Sequence, residues 1–288
     1  MLAGVLGEQE VSVRLADGVL SGTWLQPDPC HAACVLIAGS GPTNRDGHAG
    51  NGGVCALRAL AEALCEHGIA SVRYAKRGVA KSRFPTLVEA DLRFDHFVED
   101  AVTWVHWLRE RVRLEERVDS VTLVGHSEGG TIALAAANRI AEVRVVAMAS
   151  PATSIAAVLR AQLEALLPTE LYAIAVRILA QLEAGRDAHD VPSELHAVFR
   201  DSVQPYLRSW ISVDPLQLAQ ALGGRLLCLH GGADSQISLE HADLFEAAAP
   251  TADVVRIKDM RHDLSTENGE LLSVALTASV VRFLRGCD

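Results

Sequence analysis

Six apolar runs of four to six residues, at positions 34–38, 70–74, 121–124, 143–148, 226–230 and 254–257, recur along the chain. Runs this short predict buried strands rather than helices. Between them, apolar residues recur at three- and four-residue spacing, most clearly over 94–111 and 270–284, which predicts amphipathic helices. Strand and helix in alternation is the pattern of a mostly parallel sheet with helical crossovers on both faces. Ahead of it, 11–15 and 19–24 flank Ala16-Asp17-Gly18 and predict an antiparallel hairpin about an Asp-Gly turn.

The run at 121–124 leads directly into Gly125-His126-Ser127-Glu128-Gly129-Gly130 and then into the helical pattern beginning at Thr131. A G-x-S-x-G motif between strand and helix forces its central residue into a tight reversal, with the side chain held over the end of the sheet. Ser127 is therefore the candidate nucleophile; the rival reading is a serine that merely caps the helix. A serine hydroxyl needs a base and an acid that orients it, following in the order Ser, Asp, His. Asp234 follows the run 226–230 through Gly231-Gly232, and His262 follows the run 254–257, so both fall in loops at one edge of a parallel sheet. Asp253, Asp259 and Asp263 are rival carboxylates, but none follows a strand through such a turn. His126 and His230 read as packing residues.

An acyl-transfer site also needs two N–H groups aimed at the developing oxyanion. Glu128, next after the serine, supplies one. The loop 39–47 after the first buried run supplies the other, with Ser40 the first choice and Gly41 the second; Pro42 has no N–H.

These motifs, in this order, resemble the α/β-hydrolase superfamily over nearly the whole chain. Gly39-Ser40-Gly41-Pro42-Thr43-Asn44-Arg45-Asp46-Gly47, Lys76-Arg77-Gly78-Val79-Ala80-Lys81-Ser82, Gln204-Pro205-Tyr206-Leu207 with Asp214-Pro215, and Asp234-Ser235-Gln236-Ile237 are further similar to bacterial serine esterases labelled dienelactone-hydrolase-like. Two departures stand out. Dienelactone hydrolases proper carry a cysteine nucleophile where this chain has Ser127, and Ala38 stands where many relatives have histidine. The resemblance implies a serine carboxylesterase that works through an acyl-enzyme, with thioester hydrolysis, acyl transfer and peptide or amide hydrolysis as alternatives on the same triad. A non-catalytic binding protein on this fold is the alternative from a different class.

The strand rhythm fails between 151 and 222, where helical stretches at 156–167, 171–182, 193–203 and 215–222 are separated by Pro168, Gly185, Pro192 and Pro205. The expected organisation is an α/β-hydrolase core over 1–154 and 221–288 with a helical cap over 155–220. Such an insertion would fold over Ser127. Its apolar residues, including Leu159, Leu163, Leu166, Ile178, Leu179, Phe199, Tyr206 and Trp210, either line an acyl pocket or pack the cap against itself. Tyr206 and Trp210, with Gly41, are the candidate substrate contacts. The pocket is expected to suit small to medium apolar acyl groups, unless Arg160, Arg177, Arg200 or Arg208 faces into it.

Composition narrows the partners. With 288 residues and 49% hydrophobic content, the chain can bury a sizeable core. A net charge of −10 disfavours nucleic acid and anionic membrane surfaces, leaving a small-molecule ester as the expected partner. Cys30, Cys34, Cys55, Cys65, Cys228 and Cys287 lack paired spacing and read as buried small hydrophobes in a reducing compartment. No motif of metal-ligand spacing occurs, and the chemistry calls for no cofactor. The first eight residues lack the basic head and apolar core of a signal peptide, which makes the cytoplasm the expected location. The oligomeric state is left open, a homo-oligomer included.

Overall fold

A computed structural model describes residues 4–48, 55–112 and 121–286. Eight strands form one sheet: β1 (Gly4–Arg14), β2 (Val19–Asp28), β3 (Ala32–Ile37), β4 (Ile69–Tyr74), β5 (Val121–His126), β6 (Val143–Met148), β7 (Leu226–Gly231) and β8 (Asp253–Ile257). Their spatial order is β1-β2-β4-β3-β5-β6-β7-β8. β1, β2 and β4 pair antiparallel, and β4, β3 and β5 through β8 are mutually parallel. The hairpin closes with the Leu15 N–H on the Gly18 carbonyl at 2.8 Å. β1 starts earlier than the sequence pattern indicates, since its pairing with β2 resumes beyond an irregularity between Val5 and Glu8.

Side chains alternate across the inner strands, as a sheet covered on both faces requires. In β3, Ala33, Val35 and Ile37 enter one apolar cluster, and Cys34 and Leu36 enter the other. The first cluster is closed by α2 (Phe94–Val112), α3 (Glu128–Ala137), α8 (Pro215–Leu222) and α9 (Glu240–Ala248), through residues such as Trp104, Ile132, Leu222 and Phe245. The second is closed by α1 (Ala56–Glu66) and α10 (Val274–Arg285), through Leu60 and Val280 among others. α10 begins at Val274 rather than at the expected 270. Ser273 accepts the Leu276 N–H as its N-cap, while the Glu270 N–H is tied back to Thr266 Oγ1 at 3.1 Å.

Between β6 and β7 run α4 (Ile155–Leu166), α5 (Thr169–Glu183), α6 (His196–Phe199) and α7 (Gln204–Ile211), followed by α8. The single helix expected over 193–203 is instead α6 flanked by two 3-10 turns, Ser193–Leu195 and Asp201–Val203, because Arg200 adopts an extended backbone. α4 to α7 share a separate apolar cluster that includes Leu163, Leu179, Phe199 and Leu207, whereas Ala219 and Leu222 of α8 join the cluster on the sheet. α7 is held to α2 by stacking of Trp210 on Phe94, an edge contact of Tyr206 with Phe97, and the Phe94 N–H on Ser209 Oγ at 2.8 Å. Among the described residues, no helix is long and apolar enough to cross a membrane.

The chain goes from β3 to β4 on one side and returns from β4 to β5 on the other. That reversal is a topological switch point, and the loops leaving β3 and β5 diverge there beside a crevice.

Candidate active site

β3 and β5 pair with Ile37 opposite Gly125, so the loop carrying Ser40 and the turn carrying Ser127 leave the sheet side by side. Ser127 has φ 54° and ψ −120°, a region costly for any residue with a Cβ. The turn is clamped from β6: the Ser127 N–H donates to the Met148 carbonyl at 2.8 Å, and Ser150 Oγ donates to the Ser127 carbonyl at 3.0 Å. Glycine on either side is a packing requirement. A Cβ on Gly125 would stand 2.1 Å from the Gly129 carbonyl oxygen, and one on Gly129 would stand 2.4 Å from that of Ile37.

β7 and β8 repeat the arrangement further along the edge. The Gly232 N–H donates to the Ile257 carbonyl at 2.8 Å and the Ala233 N–H to the Met260 carbonyl at 3.1 Å. This approach brings His262 Nδ1 to 2.9 Å from Asp234 Oδ2. Asp234 Oδ1 accepts the N–H groups of Gln236 and Ile237 at 2.7 and 2.9 Å. Burial alone would raise the Asp234 carboxyl, but the bond to His262, its charge and the two N–H groups outweigh that and hold it below the ordinary carboxylate value. Of the rival carboxylates, Asp263 turns onto Ser265 Oγ at 2.6 Å.

His262 is tied to the residue that precedes the serine: His126 Nε2 lies 2.7 Å from the His262 carbonyl, with ring centroids 5.1 Å apart. Among the described residues, no hydrogen bond joins Ser127 Oγ to His262. Burial, with the His262 charge beside it, pushes the His126 imidazole down to about 4. His230 is likewise pushed to about 4 by burial, and its Nε2 lies 2.9 Å from the Ser150 carbonyl. Both rings are neutral near pH 7 and brace backbone.

Ser40, Gly41, Ser127, Glu128, Tyr206 and Trp210 all border one cavity of about 410 Å³, whose apolar wall includes Ile155, Val158, Leu159 and Ile237. A second cavity of about 380 Å³ shares Gly41, Glu128, Arg200 and Tyr206 with it, and adds Val79, Leu87, Leu92 and Phe97. Of the other cap residues singled out in the sequence, Leu163, Ile178, Leu179 and Phe199 face the cap's own cluster, and Leu166 is exposed. Arg160 and Arg208 pair with Glu183 and Asp187, and Arg177 is exposed. Arg200 borders both cavities but is bound to Glu89, with Nε 2.9 Å from Oε2.

One group at the site escaped the sequence reading. The Glu128 side chain is buried and accepts from Lys76 Nζ at 2.7 Å and from the Tyr206 hydroxyl. A signal was available: the chain has only three lysines, and Lys76 lies two residues past the run 70–74.

Residues 48–269 match the model of a family described as serine aminopeptidase, S33. The chain belongs to that family, whose members are α/β hydrolases and enzymes. Among curated proteins it is similar to Esterase EstD of Thermotoga maritima, 27% identical over 241 residues that cover 83% of this chain. The chain spans 56% of that relative's length. Among the solved structures that share the fold are two covered over most of their length. Esterase Pf2001 of Pyrococcus furiosus superposes with a TM-score of 0.63 at 16% identity, over 97% of this chain and 92% of the other. The hydrolase GrgF from Penicillium sp. sh18 does so with a TM-score of 0.64 at 18% identity, over 98% and 99%.

Proposed function

We propose that the chain is a serine hydrolase that cleaves carboxylic esters of small to medium apolar acyl groups through an acyl-enzyme. Ser127 attacks the carbonyl and His262 takes its proton, then returns it to the leaving alcohol; Asp234 orients the imidazole, and the N–H groups of Ser40 and Glu128 hold the oxyanion. Water repeats the cycle on the acyl-enzyme. The helices over 155–220 act as the cap, with α4 and α7 roofing the acyl cavity and α8 seated on the core. The observation that carries the reading is an Asp234–His262 pair held against His126, the neighbour of a serine at positive φ that borders a cavity with a mostly apolar wall. Serine–histidine hydrogen bonds of this kind are often loose without substrate and tighten in the Michaelis complex. The similarity to Esterase EstD supports the ester bond as the target.

The family description favours a second reading, aminopeptidase activity on the same triad. Recognising a free α-amino group calls for a carboxylate facing the substrate. The carboxylates bordering the two cavities, Glu128 and Glu89, are already taken by Lys76 with Tyr206 and by Arg200 with Ser202. That pairing supports ester over aminoacyl substrates.

A fluorophosphonate probe followed by peptide mapping tests the assignment. A single adduct on Ser127 is expected, and labelling that survives Ser127→Ala would overturn it. Hydrolysis of p-nitrophenyl butyrate set against an aminoacyl p-nitroanilide separates the two readings.

A further inference from the structure

Lys76 carries an ammonium into the interior. It is 3% exposed, leaves β4 at the edge where Ser127 sits, and rests against the Phe97 ring, 5.4 Å from its centroid. An apolar side chain of similar length would pack there without the cost of desolvating a charge. The charge is directed at two groups, the Gly39 carbonyl at 2.5 Å and Glu128 Oε2 at 2.7 Å. These belong to the two segments that carry the oxyanion donors of the proposed mechanism.

We propose that Lys76 is a positioning residue of the oxyanion site, setting the direction and donor strength of the Ser40 N–H through the peptide that joins Gly39 to Ser40. The inference rests on the reading of Ser40 and Glu128 as oxyanion donors. The Gly39 carbonyl and the Ser40 N–H belong to one planar peptide unit, and in a trans peptide they point in opposite directions. Lys76 holds the carbonyl inward, so the N–H is turned outward, where Ser40 borders the cavity. A cation on the carbonyl oxygen also polarises the amide and makes its N–H a stronger donor, which is the cooperativity of linked hydrogen bonds. The next peptide is held in the same way, by Thr43 Oγ1 on the Ser40 carbonyl at 2.6 Å.

The same ammonium ties down the second donor. Glu128 provides its N–H from the first turn of α3, and its side chain is fixed between Lys76 and the Tyr206 hydroxyl. Lys76 thus bridges the loop after β3 to the turn after β5, and Glu128 links both to α7. The gap between the two N–H groups is set by one buried cation rather than by loop packing alone.

Lys76→Met tests this, measured beside Glu128→Gln and the double variant Lys76→Met/Glu128→Gln. Removing an oxyanion donor outright costs about a hundred- to a thousandfold in kcat, and one that is present but misdirected is expected to cost about ten- to a hundredfold. Lys76→Met is expected to lower kcat by that factor at unchanged KM. It is expected to weaken a trifluoromethyl ketone, which forms a tetrahedral oxyanion on Ser127, by the same factor, while the carboxylate product binds as before. The double variant leaves no unpaired buried carboxylate, and relative to Glu128→Gln it is expected to keep the full kcat deficit. If Lys76→Met alone fails to fold, that second comparison carries the test. A kcat within twofold of its reference overturns the proposal, as does a loss confined to KM. Full recovery in the double variant would show that the lysine only neutralises Glu128, and also overturns it. The esterase reading fails separately: activity that survives Ser127→Ala removes that reading, whereas a labelled, Ser127-dependent enzyme indifferent to Lys76→Met removes only this inference.

Discussion

Asp234 Oδ2 lies 2.9 Å from Nδ1 of His262, while its Oδ1 takes the N–H groups of Gln236 and Ile237. One oxygen is fixed by its own loop and the other fixes the imidazole. The carboxylate therefore selects the tautomer with the proton on Nδ1, which leaves the Nε2 lone pair free.

Asp234→Asn is expected to lower kcat by about three to four orders of magnitude with little change in KM, because an amide can stabilise the wrong tautomer. Asp259→Asn is expected to cost little. Steady-state kinetics on the two variants decides between them, and the reverse ranking would move the orienting role to the loop after β8.

Stability is expected to fall as pH drops from about 6.5 toward about 4. His126 and His230 are both held near 4 in the folded chain, below the value of about 6.5 expected when unfolded. A base with a depressed native pKa binds fewer protons folded than unfolded across that window, so acid favours unfolding there. Below about pH 4 the lowered Asp234 carboxylate adds to the loss, its contribution disappearing as pH falls through its native value. Melting temperature against pH reads this directly. His126→Gln and His230→Gln are each expected to flatten the slope between about 6.5 and 4.

Gly129→Ala is expected to lower turnover about a hundredfold and to destabilise the fold by about 1–3 kcal/mol. The added methyl would stand 2.4 Å from the Ile37 carbonyl oxygen and 2.7 Å from that of Ala38, and neither backbone group can swing aside. The end of β3 and the serine turn would be forced apart. Gly185→Ala is the control: unlike Gly129 it sits at positive φ, and nothing lies within 4 Å of the new Cβ. It is expected to cost about 1 kcal/mol of stability and no activity. Turnover and melting temperature on both variants check the pair.

What could be read from the sequence divides along physical lines. Of the six core strands, β3, β4, β5 and β7 were visible as short runs buried along almost their whole length, while β6 and the half-exposed edge strand β8 still carried short Val- and Ile-rich runs. The serine turn and the Gly231-Gly232 exit from β7 were visible because close backbone approach demands particular residues in consecutive positions. The antiparallel pairing of β2 with β4 was not, since the hairpin pattern is the same whichever strand it joins. Nor was the Lys76–Glu128–Tyr206 group, whose members are 52 and 78 residues apart and meet only through the sheet order. The sequence named Tyr206 for its ring and Glu128 for its N–H. Their polar side-chain atoms face each other, which no periodicity encodes.

The acyl cavity defines the last prediction. Its wall includes Ile155, Val158, Leu159, Trp210 and Ile237, so each methylene of the acyl chain that enters it contributes about 0.8 kcal/mol until the space is filled. Activity on p-nitrophenyl esters is expected to rise from acetate through medium-length acyl chains and then to drop, as the apolar wall of a cavity of about 410 Å³ covers only part of a longer chain. Arg200 is the residue that could reverse the preference for neutral acyl groups, since it borders the cavity. Its guanidinium is bound to the Glu89 carboxylate, and Ser202 occupies the same oxygen that accepts Arg200 Nε. Recruiting it to an anionic substrate would leave Glu89 without its cation. A neutral ester is therefore expected to outperform its ω-carboxylate analogue, with the ratio little changed in Arg200→Ala. A strong preference for the charged ester, abolished in Arg200→Ala, would show that Arg200 leaves Glu89 to bind substrate.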